Sequence, residues 1–167
     1  YWIGEYRMDG LRLDAVHQIS GPGAKDFMTT FAGRIRAVDK SRAIHLIVED
    51  ERNERFLREN GYDASWNDDF HHAVHVAITG ETSGYYEDFA SLGALAKSMT
   101  GAFFHDGSFS SFRGRSHGGP VDPQRQKPWQ FVTYTQNHDQ VGNRAFGERL
   151  TALASAPLHK ALLAILL

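Results

Sequence analysis

The sequence predicts an α/β protein, a partial (β/α)8 TIM barrel of parallel strands with crossover helices. Three observations carry that expectation. Short apolar runs alternate with segments of helical periodicity, which is the pattern of repeated βα units. The clearest run is a continuous Ile/Leu/Val stretch of the kind buried on both faces of a parallel sheet. Each of three runs also leads into a carboxylate: Asp14, Glu49 and Asp139. Barrel strands deliver side chains to one face at their C-terminal ends, so acids far apart in sequence can meet there.

Residues 11–16 form the first apolar run, wrapped around Arg12 and Asp14. After the Gly21-Pro22-Gly23 breaker, Phe27, Phe31, Ile35 and Val38 recur at i, i+4, i+8 and i+11, which predicts a helix with those side chains on one face. Residues 44–48 predict the next strand, buried on both faces. Residues 62–66 form a weaker strand, followed by a helix through Phe70, Val74 and Ile78. A further helix is expected to carry Phe89, Leu92, Leu95 and Met99. Residues 101–128 read as a long loop rich in Gly, Ser, Phe and Arg, and loops of that length are usually functional or mobile. Residues 131–135 predict the last strand and 157–167 an apolar helix. Such alternation implies a parallel sheet with right-handed crossovers.

Composition narrows the function. The chain has 167 residues and 41% apolar content, enough for a core, and it shows no internal repeat or linker. A net charge of −2 with scattered Lys and Arg excludes the basic stripe that nucleic acid or an anionic membrane requires. There is no cysteine, so neither a disulfide scaffold nor a thiolate metal or redox site is possible. The terminal apolar stretch 161–167 is too short to span a bilayer, and a cytoplasmic location is the working expectation. Both ends read as cut: residues 1–6 have a helix-like pattern running into the first strand, and the chain stops inside an apolar run without a cap. The expectation is a segment of a longer protein, with residues 1–167 belonging to one catalytic domain.

The acids suit glycoside cleavage. A retaining glycosidase needs one carboxylate to attack the sugar carbon and one carboxylic acid to protonate the departing oxygen, held close together. Arg12 and Asp14 lie two apart, so on a strand they share a face, where a guanidinium keeps the carboxylate ionised and aimed. Glu49 instead needs a raised pKa, because it must start protonated and later act as a base. Asp50 and Glu51 compete for that role, and the position directly after the strand favours Glu49.

At these residues the chain resembles the α-amylase family of glycoside hydrolases. The resemblance rests on Asp9-Gly10-Leu11-Arg12-Leu13-Asp14-Ala15-Val16-His17, on Ile47-Val48-Glu49-Asp50-Glu51-Arg52-Asn53, on Ser65-Trp66-Asn67-Asp68-Asp69-Phe70-His71-His72, and on the run from Gln136 through Asn137-His138-Asp139-Gln140 to Leu150. It implies roughly strands four to seven of the family's barrel. It further implies Asp14 as nucleophile, Glu49 as general acid/base and Asp139 as transition-state stabiliser, with Arg12, His17, Trp66, Asp69, Asn137, His138 and Gln140 contacting substrate or holding the nucleophile. No cofactor or metal is implied. Many members place Lys-His three and four residues after the nucleophile, where this chain has His17 and Gln18, and the residue before the acid/base is often small, where this chain has Val48. The first departure suits the family's trehalose-releasing subgroup, and the implied partner is maltooligosyl trehalose or a related α-glucan. Another α-glucan hydrolase, a branching enzyme or a catalytically silent glucan-binding relative are the alternatives.

Other motifs have plainer explanations. His71 and His75 stand at i and i+4, but His72 occupies the place of a zincin glutamate, so surface or loop-anchoring histidines are the default. Phe103, Phe104, Phe109 and Phe112 suit either sugar stacking or pinning of the long loop. Arg113-Gly114-Arg115 is too short for phosphate or nucleic-acid binding, and Asp9 is expected to anchor a turn.

Overall fold

The computed structural model describes residues 1–167. In chain order the elements are β1 (Gly10–Leu13), α1 (Ala24–Val38), β2 (His45–Val48), α2 (Phe56–Glu59), β3 (Ala64–Trp66), α3 (Asp68–Thr79), α4 (Leu92–Gly101), β4 (Phe109–Ser110), β5 (Arg115–Ser116), β6 (Phe131–Val132), α5 (His138–Gly142), α6 (Leu150–Leu153) and α7 (Ala156–Leu166). Short 3-10 turns cover Val16–Gln18, Gly84–Phe89 and Pro128–Gln130. The chain falls into two compact units, Tyr1–Trp66 with Gly119–Val132 and Asn67–Gly118 with Thr133–Leu167.

The first unit holds a four-stranded sheet in the order β1-β2-β3-β6, every pairing parallel. Leu46 and Val48 of β2 point into a core with Val16, Met28, Ala32, Leu57 and Tyr62. The other face of β2 is less covered, since His45 is exposed and Ile47 half-buried, so the expected burial of both faces is met on one. On α1 the buried stripe is Met28, Ala32 and Ile35, not the stripe led by Phe27 and Val38, both of which are exposed. The reason is steric: Ala32 lies where α1 passes the loop before β3, and a Cβ on Gly61 would sit 3.1 Å from that of Ala32. A large side chain does not fit there. Tyr62 donates its hydroxyl to Met28 O at 2.9 Å, and burial pushes that phenol up to about 12. Residues 1–6 form a hydrogen-bonded turn, Glu5 N to Tyr1 O at 2.9 Å, rather than a helix. Asp9 pairs its side chain with Arg42 at 3.3 Å while its carbonyl accepts from His45 N.

Gly10 opens β1 against β2, and a Cβ there would fall 2.2 Å from the His45 carbonyl oxygen, a backbone atom that cannot swing away. Gly10→Ala is therefore expected to push the strands apart and cost about 1–3 kcal/mol, read as a lower urea midpoint at unchanged slope. An unchanged midpoint would show that this close approach is not maintained.

The second unit is mainly helical. Asn67 caps α3 by accepting from Phe70 N at 3.2 Å, and Gly80 ends the helix in the left-handed conformation at φ 73°. Two small clusters form its core: Ala73, Val76, Tyr86, Phe89 and Ala94, and Phe70, Val74, Leu150 and Leu162. The helix predicted through Phe89 and Met99 is two elements. Phe89 ends a 3-10 turn, and Ser91 caps a new helix through Ala94 N at 3.2 Å. α4 buries Ala94 and Ser98 while Leu92 and Met99 face outward. Part of the long loop is the β4–β5 hairpin, pinned by Asp88, which accepts from Ser110 Oγ at 2.9 Å and from Ser111 N at 2.9 Å. Phe103 is buried and Phe104 packs on Phe89, whereas Phe109 and Phe112 are exposed. No helix is long and apolar enough to cross a membrane.

His71 and His75 lie in this unit's interior, not at its surface. His71 lies 2.7 Å from Thr135 O through Nδ1 and 3.1 Å from the Tyr86 hydroxyl through Nε2, and its ring stacks on Tyr134. Burial holds its pKa down at about 4 and lowers those of His72, His75 and His105. The unfolded chain takes up protons near 6.5 that the folded one refuses, so stability falls as pH drops from 6.5 towards 4, with His71 alone contributing up to about 3 kcal/mol. Urea midpoints measured between pH 7.5 and 4.5 should fall, and His71→Asn should flatten that slope. An equal slope in the variant would remove His71 as its source.

Candidate active site

Register explains why two acids meet. β1 and β2 pair in parallel with Leu13 opposite Val48, so the next residue on each strand is a carboxylate, Asp14 beside Glu49. The turn after β1 then folds back over Glu49: Glu49 N donates to Leu13 O at 2.9 Å and Val16 N to Glu49 O at 3.0 Å. Ala15 adopts the left-handed conformation, φ 42° and ψ 43°, which costs a non-glycine residue roughly 1–2 kcal/mol. That conformation accompanies a direct contact, Ala15 N to Glu49 Oε2 at 2.9 Å.

Arg12 bridges the pair. Its guanidinium binds Asp14 through one nitrogen and lies 3.0 Å from Glu49 Oε2 through the other, with the charge 5.6 Å from the Trp66 ring centroid. Burial raises the Glu49 pKa above its ordinary value; the Ala15 N–H and Arg12 oppose this, while a hydrogen bond to Asp14 and its charge add to it. Oε2 is occupied by two donors, which leaves Oε1 as the oxygen open to a proton. Glu49 thus holds a proton more tightly than an ordinary carboxyl beside the exposed Asp14, the direction that general-acid and nucleophilic roles demand.

The competing acids are committed elsewhere. Asp50 is buried and accepts from Arg52 Nε at 2.7 Å and from Arg52 NH2 at 2.9 Å. Glu51 is half-exposed with His17 Nε2 4.0 Å away, and His17 occupies the 3-10 turn after β1 with Nδ1 buried and unmatched.

The remaining sequence-predicted residues belong to the second unit. Asn137 caps α5 by accepting from Asp139 N at 2.8 Å, and Gln140 Oε1 accepts from Asn137 N at 2.9 Å. These two amides shape the turn. His138 and Asp139 are the exposed pair on it, 3.4 Å apart. Asp69 is buried, and its carboxylate accepts from His105 N at 2.8 Å, which anchors the loop after α4. The first unit thus assembles Arg12, Asp14, Glu49 and Trp66, and the second presents His138 and Asp139.

Two contributors had no readable signal. Ala15 acts through its peptide N–H, which no side-chain pattern reveals. Glu81 binds Arg144 at 2.7 and 3.0 Å, ion-pairing the end of α3 to the segment after α5 across 63 positions of sequence.

No family model matches the chain. Curated relatives do. Malto-oligosyltrehalose trehalohydrolase of Rhizobium sp. strain M-11 is 51% identical over 158 residues, 90% of this chain and 26% of that protein. The proteins of the same name from Arthrobacter ramosus and Saccharolobus solfataricus are 46% and 43% identical, over 91% and 96% of this chain. The chain spans only 26–28% of the length of these relatives. A crystal structure from Salmonella typhimurium, provisionally named an alpha amylase, superposes with a TM-score of 0.91 at 44% identity and covers 98% of this chain and 29% of that one. The parallel sheet and this match make the fold a partial (β/α)8 barrel.

Proposed function

We infer that the chain belongs to the α-amylase family of glycoside hydrolases and that the full-length protein is a retaining hydrolase of maltooligosyl trehalose, cleaving the α-1,4-glucosidic bond next to the terminal trehalose. The observation that carries this reading is the Arg12–Asp14–Glu49 arrangement at the ends of β1 and β2, in a chain alike over nine-tenths of its length to proteins of that name.

In this scheme Glu49 gives its Oε1 proton to the departing trehalose oxygen while Asp14 attacks the anomeric carbon. Glu49, now a carboxylate stabilised at Oε2 by Arg12 and the Ala15 N–H, takes a proton from a water whose oxygen bonds to the anomeric carbon as the bond from that carbon to Asp14 breaks. Asp139 faces the positive charge that develops on the ring, and His138 donates to a sugar hydroxyl. His17 replaces a long cation on the leaving-group side, which suits a compact trehalose.

Incubation of the full-length protein with maltooligosyl trehalose and, separately, with soluble starch tests the reading. Free trehalose should be the main product from the first, with little cleavage of the second. Glucan shortening from starch without trehalose release would favour a general α-glucan hydrolase, and no reaction on either would favour a silent glucan-binding relative.

A further inference from the structure

The segment leading to Asp139 is held residue by residue. Tyr134 donates its hydroxyl to Asp68 Oδ1 at 2.5 Å, and the Thr135 carbonyl oxygen lies 2.7 Å from His71 Nδ1. Gln136 Oε1 accepts from Leu150 N at 3.1 Å. Asn137 then accepts from Asp139 N at 2.8 Å, so a continuous line of chain and contacts runs from His71 to the Asp139 backbone. The stretch ends on the exposed side chains of His138 and Asp139.

The helix that does the holding is itself well fixed. Asp68 and His71 stand three apart on α3, which sets them one above the other on one face. Asn67 caps the helix and donates to Ala102 O at 2.6 Å, while Phe70 and Val74 pack in the core with Leu150 and Leu162. His71 is fully buried, and its ring stacks on Tyr134 with the centroids 5.4 Å apart. A carbonyl only accepts, so Nδ1 carries the hydrogen towards Thr135, and burial keeps the ring neutral. Nε2 is then the bare nitrogen, and it accepts from the Tyr86 hydroxyl at 3.1 Å. One imidazole thus grips the segment through one nitrogen and is gripped through the other.

A part-buried carbonyl that loses its donor seeks another, and the chain around it shifts to find one. Further along that chain stands a carboxylate that must face a charge developing on a sugar ring, where misplacement by about 1 Å costs on the order of a hundredfold in rate. We propose that His71, together with Asp68 through Tyr134, is a positioning residue for Asp139, fixing the segment 134–137 so that the carboxylate is already in place when the charge develops. The inference rests on Asp139 being the transition-state stabiliser.

Steady-state kinetics of the full-length protein on maltooligosyl trehalose test it, with variants that separate the two nitrogens. The amide of His71→Asn falls near Nδ1 and still donates to Thr135 O, whereas that of His71→Gln falls near Nε2 and keeps only the Tyr86 contact. Both remove the buried ring. His71→Gln should lower kcat about tenfold or more at a KM close to wild type, and His71→Asn should retain most of it. Tyr134→Phe keeps the stacked ring and loses only the hydroxyl, so it should fold and lower kcat about threefold or more. Combined with Asp139→Asn, itself slow, either harmful change should cost little more, because the group it places is already gone. Equal kcat in the two His71 variants, full additivity with Asp139→Asn, or wild-type kcat in Tyr134→Phe would overturn the proposal, and Tyr134→Phe decides it if the His71 variants do not fold. Asp139→Asn at the wild-type rate would overturn it by a separate route, by removing the role of Asp139 itself.

Discussion

Asp14→Asn in the full-length protein is expected to reduce trehalose release at least about a thousandfold, because removing a nucleophile destroys a step that binding cannot replace. The fold should survive. The Asp14 side chain is 71% exposed, and its bond to Arg12 is a surface ion pair whose loss costs little stability. Circular dichroism and product release measured on one preparation separate the two effects. Retention of more than about a hundredth of wild-type turnover would exclude Asp14 from the nucleophile's role.

Glu49→Gln should show a different signature. The amide cannot protonate a poor leaving group, so natural substrates should slow by about 100-fold or more, the usual scale of general acid–base catalysis. A substrate with an activated leaving group should still react in the first step, and azide should then restore part of the turnover by attacking the intermediate without a base. Wild-type activity should also fall on the alkaline side as Glu49 loses its proton, and its raised pKa sets that limb above the ordinary carboxylate range. Glu51→Gln should leave these properties close to wild type, since Glu51 is exposed and lies two residues beyond Glu49, with His17 Nε2 4.0 Å away. Azide rescue of Glu51→Gln instead would transfer the acid/base role to that residue.

The sequence made the strand-end acids legible for a physical reason: polarity directly after an apolar run is costly to place anywhere but at the mouth of a sheet. Arg12, Asp14 and Glu49 fall where that logic puts them, and Asp50, two residues before its Arg52 partner, explains itself only once its burial is seen. Helix faces were harder to read. The inner face of α4 is small, Ala94 with Ser98, and that of α1 sets Ala32 between Met28 and Ile35, while Phe27, Leu92 and Met99 remain exposed. Periodicity counted by large residues finds these helices but not all of their inner positions, because an alanine or serine at a close approach carries no such signal. The hydrogen bond that Asp69 accepts from His105 N, 36 positions away, had no sign in the sequence either. The Ala15 contact was beyond reach, because a left-handed alanine has no compositional mark.

The account rests on Asp14 and Glu49 acting as a retaining pair, and the configuration of the first product tests that most directly. Proton NMR of the full-length protein acting on maltooligosyl trehalose, recorded before mutarotation, should show the newly freed maltooligosaccharide with its reducing end in the α configuration, appearing together with trehalose. A β-configured reducing end at first appearance would mean direct attack by water on the sugar, and would contradict the roles assigned to both carboxylates.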